Sequence, residues 1–218
     1  EILSSLLDLI TSLEIVNHVG ITLRRVVLGY LLGSALGYAL GFACGILPRL
    51  NRLLQVTVEY LRPMPSVALI PIAILFLGMG DGLNVMIIAW ACAWPVFINT
   101  LNGVAGVDRE LLLTAKTFGA SRGRTLASVV VPASLPFVFT GLRVGLGIAV
   151  AVVVITEMVA SGTGLGAFIL STSISYRIPQ MYAGIVVIGA FGYVLNRAFL
   201  EAERRVLSWH RGQCAGTS

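Results

Sequence analysis

From Pro136 to Ile155 the sequence reads PFVFTGLRVGLGIAVAVVVI, twenty residues in which Arg143 is the one charge. As a helix such a run rises roughly 30 Å, the thickness of a bilayer's hydrocarbon core. Further apolar runs cover Val26–Leu47, Ser66–Leu77, Leu83–Leu101 and Met181–Leu200. In lipid there is no water to bond the backbone, so each run has to satisfy its own donors and acceptors. Helices do this, and the alternating pattern of a membrane barrel strand is absent. Composition agrees: 57% of residues are hydrophobic and 11% charged, with mean hydropathy +0.92, against about 25% charged in soluble domains. The chain therefore reads as an all-α polytopic transmembrane bundle of about five spans, the fourth extended to Glu157.

Within these spans the small and polar residues are informative. Gly29, Gly33, Gly37, Gly41 and Gly45 recur at every fourth position, a ribbon that lets another helix approach closely where lipid supplies no hydrophobic drive. The residues do not say whether that partner belongs to the same chain. Pro63, Pro65 and Pro71 break the region of the second span, and broken backbone at membrane depth is tolerated where it lines a polar cavity or is buried in protein. Pro63, Met64 and Pro65, with Trp94 of the third span, are placed along a translocation path on that ground. Arg143 and Glu157 join them because a charge inside lipid costs about 3 kcal/mol and usually faces a cavity or another subunit. Snorkelling from a near end is the competing account of Arg143. The segment Ala160–Gln180 reads as a glycine-rich loop followed by a short amphipathic helix.

One stretch stands apart. Asp108–Pro132, DRELLLTAKTFGASRGRTLASVVVP, gathers Asp108, Arg109, Glu110, Lys116, Arg122 and Arg124 between two apolar runs and belongs in water. Leu111, Leu112, Ala115, Phe118 and Leu126 recur at helical spacing, which predicts a short amphipathic helix with one apolar face. Gly119 is positioned to end that helix where the chain bends tightly or approaches another closely. Pro132 is positioned to start the next element, since it needs no backbone donor.

The same stretch resembles the cytoplasmic signature of the permease subunits of binding-protein-dependent ABC importers, Glu-Ala-Ala-x-x-x-Gly followed by Ile-x-Leu-Pro. Here Leu113, Thr114 and Ala115 stand in the first triplet, Gly119 keeps the glycine, and Val129-Val130-Val131-Pro132 keeps the later block. The departures are Leu113 for the Glu and Thr114 for the first Ala. TAKTFGAS, with Ala120 and Ser121, together with VVVPASLP and EYLRPMPSVALIPIAILFLGMG, is similar to the sulfonate, taurine and nitrate branch, and the similarity runs to about Leu207.

The resemblance implies a type I importer permease fold in a bacterial inner membrane. Ahead of it Glu1–Val19, where Asp8, Glu14 and Asn17 interrupt the Leu and Ile residues, reads as too polar to span and as an amphipathic or periplasmic leading segment, residues 1–19, followed by the permease domain, 20–207, and a cytoplasmic tail, 208–218. The resemblance implies that cytoplasmic ABC ATPase subunits, holding ATP and Mg2+, seat the helix Leu111–Phe118 in a groove with Lys116 and Arg122 at the rim. It further implies a second permease copy and an external, periplasmic or lipid-anchored solute-binding protein. The cargo it implies is a small solute, a sulfonate, taurine, nitrate, bicarbonate or a pyrimidine precursor.

The formal net charge of +5 fits this picture better than nucleic-acid binding, because the basic residues sit at span ends rather than on one soluble face. With Asp108–Pro132 in the cytoplasm, most Arg and Lys residues lie inside and Arg24, Arg25 and Arg177 outside, as the positive-inside rule requires. Five spans then make the amino end external, which suits a native start with one more span or a periplasmic leading segment. No phosphate loop occurs: GASRGRT at Gly119–Thr125 has the wrong spacing and no lysine. Cys44, Cys92 and Cys214 show no metal or disulfide spacing, and His18 and His210 read as isolated surface residues outside the spans. No catalytic cluster is expected, and no cofactor in this chain. The alternatives are an ion-coupled secondary transporter, which would use midplane ionisable groups such as Arg143 and Glu157, and an intramembrane enzyme, which would need a paired nucleophile and base.

Overall fold

A computed structural model of the chain describes residues 13–207. The leading residues 1–12 and the tail from residue 208, with His210 and Cys214, lie outside the described residues. The described chain is helical: α1 Leu13–Ile46, α2 Pro48–Leu61, a 3₁₀ turn Ser66–Leu69, α3 Ile70–Leu77, α4 Asp81–Ala105, α5 Arg109–Thr117, α6 Arg122–Thr125, a π turn Leu126–Val130, α7 Val131–Ala160, α8 Leu165–Ile174 and α9 Ile178–Val206. Among the described residues four helices are long and apolar enough to cross a membrane, and five spans result if the broken pair α2 and Ser66–Leu77 counts as one.

The break expected around Pro63 and Pro65 is present, but Ser66–Leu77 is not a span by itself. Helix α2 ends at Leu61, and Pro65 precedes the 3₁₀ turn that leads into the eight-residue α3. Proline costs nothing at the start of a helix, where its missing N–H would be unpaired anyway, so Pro48 and Pro71 open α2 and α3. Helix α3 stops at Gly78, whose φ of +69° few other residues adopt readily.

The chain divides into two compact units, each containing parts of the long helices. The first gathers the residues up to Gly33, Met64–Cys92 and Leu146–Ala198. Its core is aliphatic and closely packed, with Val26, Ile70, Leu83, Ile87, Cys92 and Val153 buried together. Gly29 and Gly33 of α1 face α4 here: a Cβ on Gly29 would come within 2.7 Å of Ile88, and one on Gly33 would collide with the Ala89 carbonyl. Helix α8, in the segment Ala160–Gln180, is buried through Leu165, Gly166, Ala167, Ile169 and Thr172 and exposes Ser171, Ser173 and Ile174, so the short helix expected there has one side in the core.

The second unit gathers Ser34–Pro63, Ala93–Gly145 and the residues from Phe199 on. Gly37 and Gly41 of α1 lie against the Ala93 and Phe97 carbonyls of α4, and Gly45 against Val104. The partner of the glycine ribbon is thus α4 of the same chain throughout. Gly103 and Gly141 repeat the device between α4 and α7, against Phe137 and the Pro95 carbonyl.

Pro132 does not open a new element. It is the second residue of α7, and the helical path reaches it from Arg122 through the π turn, with Val131 N–H donating to the Leu126 carbonyl. The wider i→i−5 turn accommodates the donor that proline lacks without breaking the helix.

Candidate functional site

Helix α5 is a short element with both ends stopped by its own sequence. Asp108 caps its start, accepting a hydrogen bond from Glu110 N–H at 3.0 Å. Glu110 in the first turn and Lys116 in the last complement the helix dipole. At the other end Gly119 has φ +72°, and Gly119 N–H donates to the Lys116 carbonyl while Ala120 N–H donates to that of Ala115, both at 3.0 Å. This pair of bonds is a Schellman stop, which asks for glycine at the left-handed position. A Cβ on Gly119 would meet open space, so the bend and not a close approach is what requires glycine. Ser121 then caps α6, accepting from Arg124 N–H at 3.4 Å.

The apolar residues of this stretch do not form one face. Leu112 and Ala115, three apart, are half-buried, whereas Leu111, Leu113 and Phe118 are exposed, Phe118 to 85%. The reason lies in α6 and the π turn, which pack on α5 and take up one side of it. Thr114, Lys116, Ser121 and Arg122 are exposed beside the free leucines, and Ala120 and Pro132 are half-buried. A full Phe or Leu side chain is worth about 1.5–3 kcal/mol when taken out of water, so Leu111, Leu113 and Phe118 form a surface that gains by being covered.

The other predicted residues are spread through the fold. Pro63 and Pro65 are exposed in the break after α2, with Met64 half-buried. Trp94 packs edge-on against Phe97, ring centroids 6.5 Å apart. Arg143 is exposed on α7. Glu157 is fully buried, at the centre of a polar knot in the first unit.

In that knot Glu157 Oε1 accepts from Thr22 Oγ1 at 2.9 Å and from Arg25 Nη1 at 2.8 Å, and Oε2 accepts from Gly166 N–H at 2.9 Å. Arg25, 3% exposed, also donates to the Thr163 carbonyl at 2.7 Å and, through Nε, to Asp81 at 2.7 Å. Arg24 completes the set by pairing with Asp81. Gly164 is needed twice over, since its φ is +105° and a Cβ there would enter the Glu157 carboxyl. His18 Nδ1 accepts from Gly164 N–H at 3.0 Å, and its ring lies 5.7 Å from Phe168. His18 is therefore no plain surface residue, and it lies within span α1 rather than outside it, because α1 begins at Leu13. Sequence reasoning missed this knot, although two arginines, one aspartate and one glutamate at the ends of apolar runs were a signal of equal and opposite charge.

Groups of three or more His, Cys, Asp or Glu able to hold a metal are absent among the described residues, and each carboxylate of the knot is engaged by arginine. The arrangement offers exposed apolar side chains on and beside α5 and a structural tie at Glu157.

Residues 20–207 match the family described as binding-protein-dependent transport system inner membrane component. The chain is 34% identical over 209 residues to an ABC transporter permease protein of Brucella melitensis, covering 96% of this chain and 85% of that one. It is 32% identical over 202 residues to the aliphatic sulfonates transport permease protein SsuC of Bacillus subtilis, covering 93% and 73%. Its fold matches a chain of the MetNI methionine ABC transporter solved in inward-facing conformations, with TM-score 0.76 over 88% of this chain and 96% of that one at 18% identity. With a family match over nearly its whole described length and a capped, exposed helix where that family carries its signature, the chain belongs to the binding-protein-dependent inner membrane components and is a multi-pass permease subunit of an ABC importer.

Proposed function

We propose that Asp108–Pro132 is the surface through which a cytoplasmic ABC ATPase subunit drives this permease. The observation that carries the reading is the exposure of Leu111, Leu113 and Phe118 on a helix whose two ends are fixed by Asp108 and Gly119. A capped helix transmits force as one body, and its uncovered apolar residues fit a groove on a partner. Lys116 and Arg122 flank that face and suit an acidic rim. The Leu113 side chain stands where the family signature has a carboxylate, so docking here relies on apolar burial more than on an ion pair. ATP and Mg2+ belong to the partner, whose closure would move α5 and switch the permease between inward- and outward-facing states.

The basic residues favour a cytoplasmic side for this surface. A second copy of the chain and an external binding protein complete the importer, and the cargo is a small anion, for which the resemblance to the sulfonate branch and the likeness to SsuC are the support. Ion coupling by Glu157 and Arg25 is disfavoured because each already answers the other.

The test is Phe118→Asp in the complete importer in proteoliposomes. The charge adds a desolvation cost to burying this position, so ATP-driven uptake should fall at least about tenfold while the permease still inserts. Uptake equal to wild type would remove Phe118 from the docking surface.

A further inference from the structure

Arg143 is the one charged residue between Arg124 and Glu157. At 1.5 Å per residue it lies about 28 Å from the first and about 21 Å from the second. Any hydrocarbon core of about 30 Å set between those two charges therefore contains it. Its side chain is exposed and has no ion-pair or hydrogen-bond partner among the described residues. An unpaired guanidinium facing lipid is costly, so such a group normally faces a water-filled passage or another subunit.

The basic residues of α1 and α9 have partners among the described residues. Arg24 and Arg25 bond Asp81 and Glu157, Arg204 and Arg205 pair with Glu201, and Arg197 lies over the Tyr193 ring. Carboxylates that a second copy could bring to Arg143 are just as constrained. Among the described residues of the four long helices, Asp81, Glu157 and Glu201 are paired with arginine, Glu157 being buried with both oxygens bonded, and Glu203 lies in the last turn of α9. Glu59 belongs to the amphipathic α2, where Gln55 donates to it at 2.9 Å. Among the described residues the chain thus carries a positive charge at membrane depth, with no carboxylate bonded to it.

Around Arg143 the outer side of α7 is uncovered. Phe137, Thr140, Val144, Gly147, Ala151 and Ile155 follow one another at three- and four-residue steps, and all are exposed. Arg143 flanks this stripe next to Val144, so it opens away from the chain's own core.

We infer that Arg143 is the anion contact of the translocation passage, the cargo's own sulfonate or carboxylate-type group serving as the counter-ion that no described residue supplies. Guanidinium suits this role because its planar donors bind two oxygens of such a group at once. The inference rests on the reading that the cargo is an anion, and the experiment separates the two.

Uptake of radiolabelled taurine, ethanesulfonate and bicarbonate is measured in proteoliposomes holding the whole importer. Wild type is expected to move at least one of the three, R143K to keep at least about a third of that rate, and R143Q to lose at least about tenfold, the weight of one charge-assisted contact. E59Q should stay within about twofold of wild type. If wild type moves none of the three, the anion reading fails and this inference with it. If wild type moves one and R143Q matches it, the inference alone is overturned. The same follows if E59Q reproduces the R143Q loss, because a protein carboxylate would then be the counter-ion.

A labelling measurement covers the case in which R143Q does not assemble. R143C, in a C214S background where Cys44 and Cys92 are buried, should react with a membrane-impermeant anionic thiosulfonate, and the transported anion should slow the reaction. Absence of labelling would place the side chain against lipid and overturn the inference.

Discussion

A carboxyl group with no solvent exposure persists at Glu157 because Thr22, Arg25 and the Gly166 N–H all donate to it. Removing one partner of such a set leaves the other buried and uncompensated, at about 3–5 kcal/mol. Glu157→Leu should accordingly lower thermal stability of the purified permease by about 3 kcal/mol. Adding Arg25→Leu should restore part of the loss, since Asp81 keeps Arg24. A single variant that melts like wild type would show that the knot carries no stability. At this scale the sequence was legible only where the reason for a residue is local. Gly119 announced a left-handed turn by its place after a helical run, and the turn is there. Glu157 gave no clue to its partner, because Thr22 lies 135 positions away and only the packing of α1 against α7 and α8 within the first unit joins them.

Elements were readable as elements, while their limits and free faces were not. Five apolar runs became four long helices and one broken pair, and the every-fourth-residue glycines found their partner in α4. Yet α1 starts at Leu13, ahead of the expected Val26, and two of its polar residues are bonded within the fold, Arg25 to Glu157 and His18 to Gly164. The island helix was expected to carry a single apolar face, and the packing of α6 and the π turn on its Leu112 side could not be read from spacing. What remains of α5 is a rod with a stop at Gly119. A side chain at φ +72° costs about 1–2 kcal/mol, although nothing obstructs it sterically. Gly119→Asn should therefore retain coupled transport, since asparagine tolerates that backbone region, whereas Gly119→Val should reduce uptake per ATP hydrolysed roughly tenfold. Equal coupling ratios in the two variants would mean that the bend does not transmit force.

At the scale of the molecule the described residues supply four long apolar helices and one broken pair. The buried Arg25 and Glu157 of the first unit answer each other, and no phosphate loop is read in the sequence. What the chain presents to a partner is a capped helix with Phe118 exposed to 85%. The family was foreshadowed by the Ala115, Gly119 and Pro132 register together with TAKTFGAS, VVVPASLP and EYLRPMPSVALIPIAILFLGMG, and that surrounding text also pointed to the small-anion branch. The most direct measurement is a photo-crosslinking amino acid at Phe118 in the assembled importer. The account predicts a crosslink to the ATPase subunit that forms from the cytoplasmic side and changes in yield when ATP is added. A residue 118 that crosslinks only to lipid, or is labelled only from outside the cell, would contradict it.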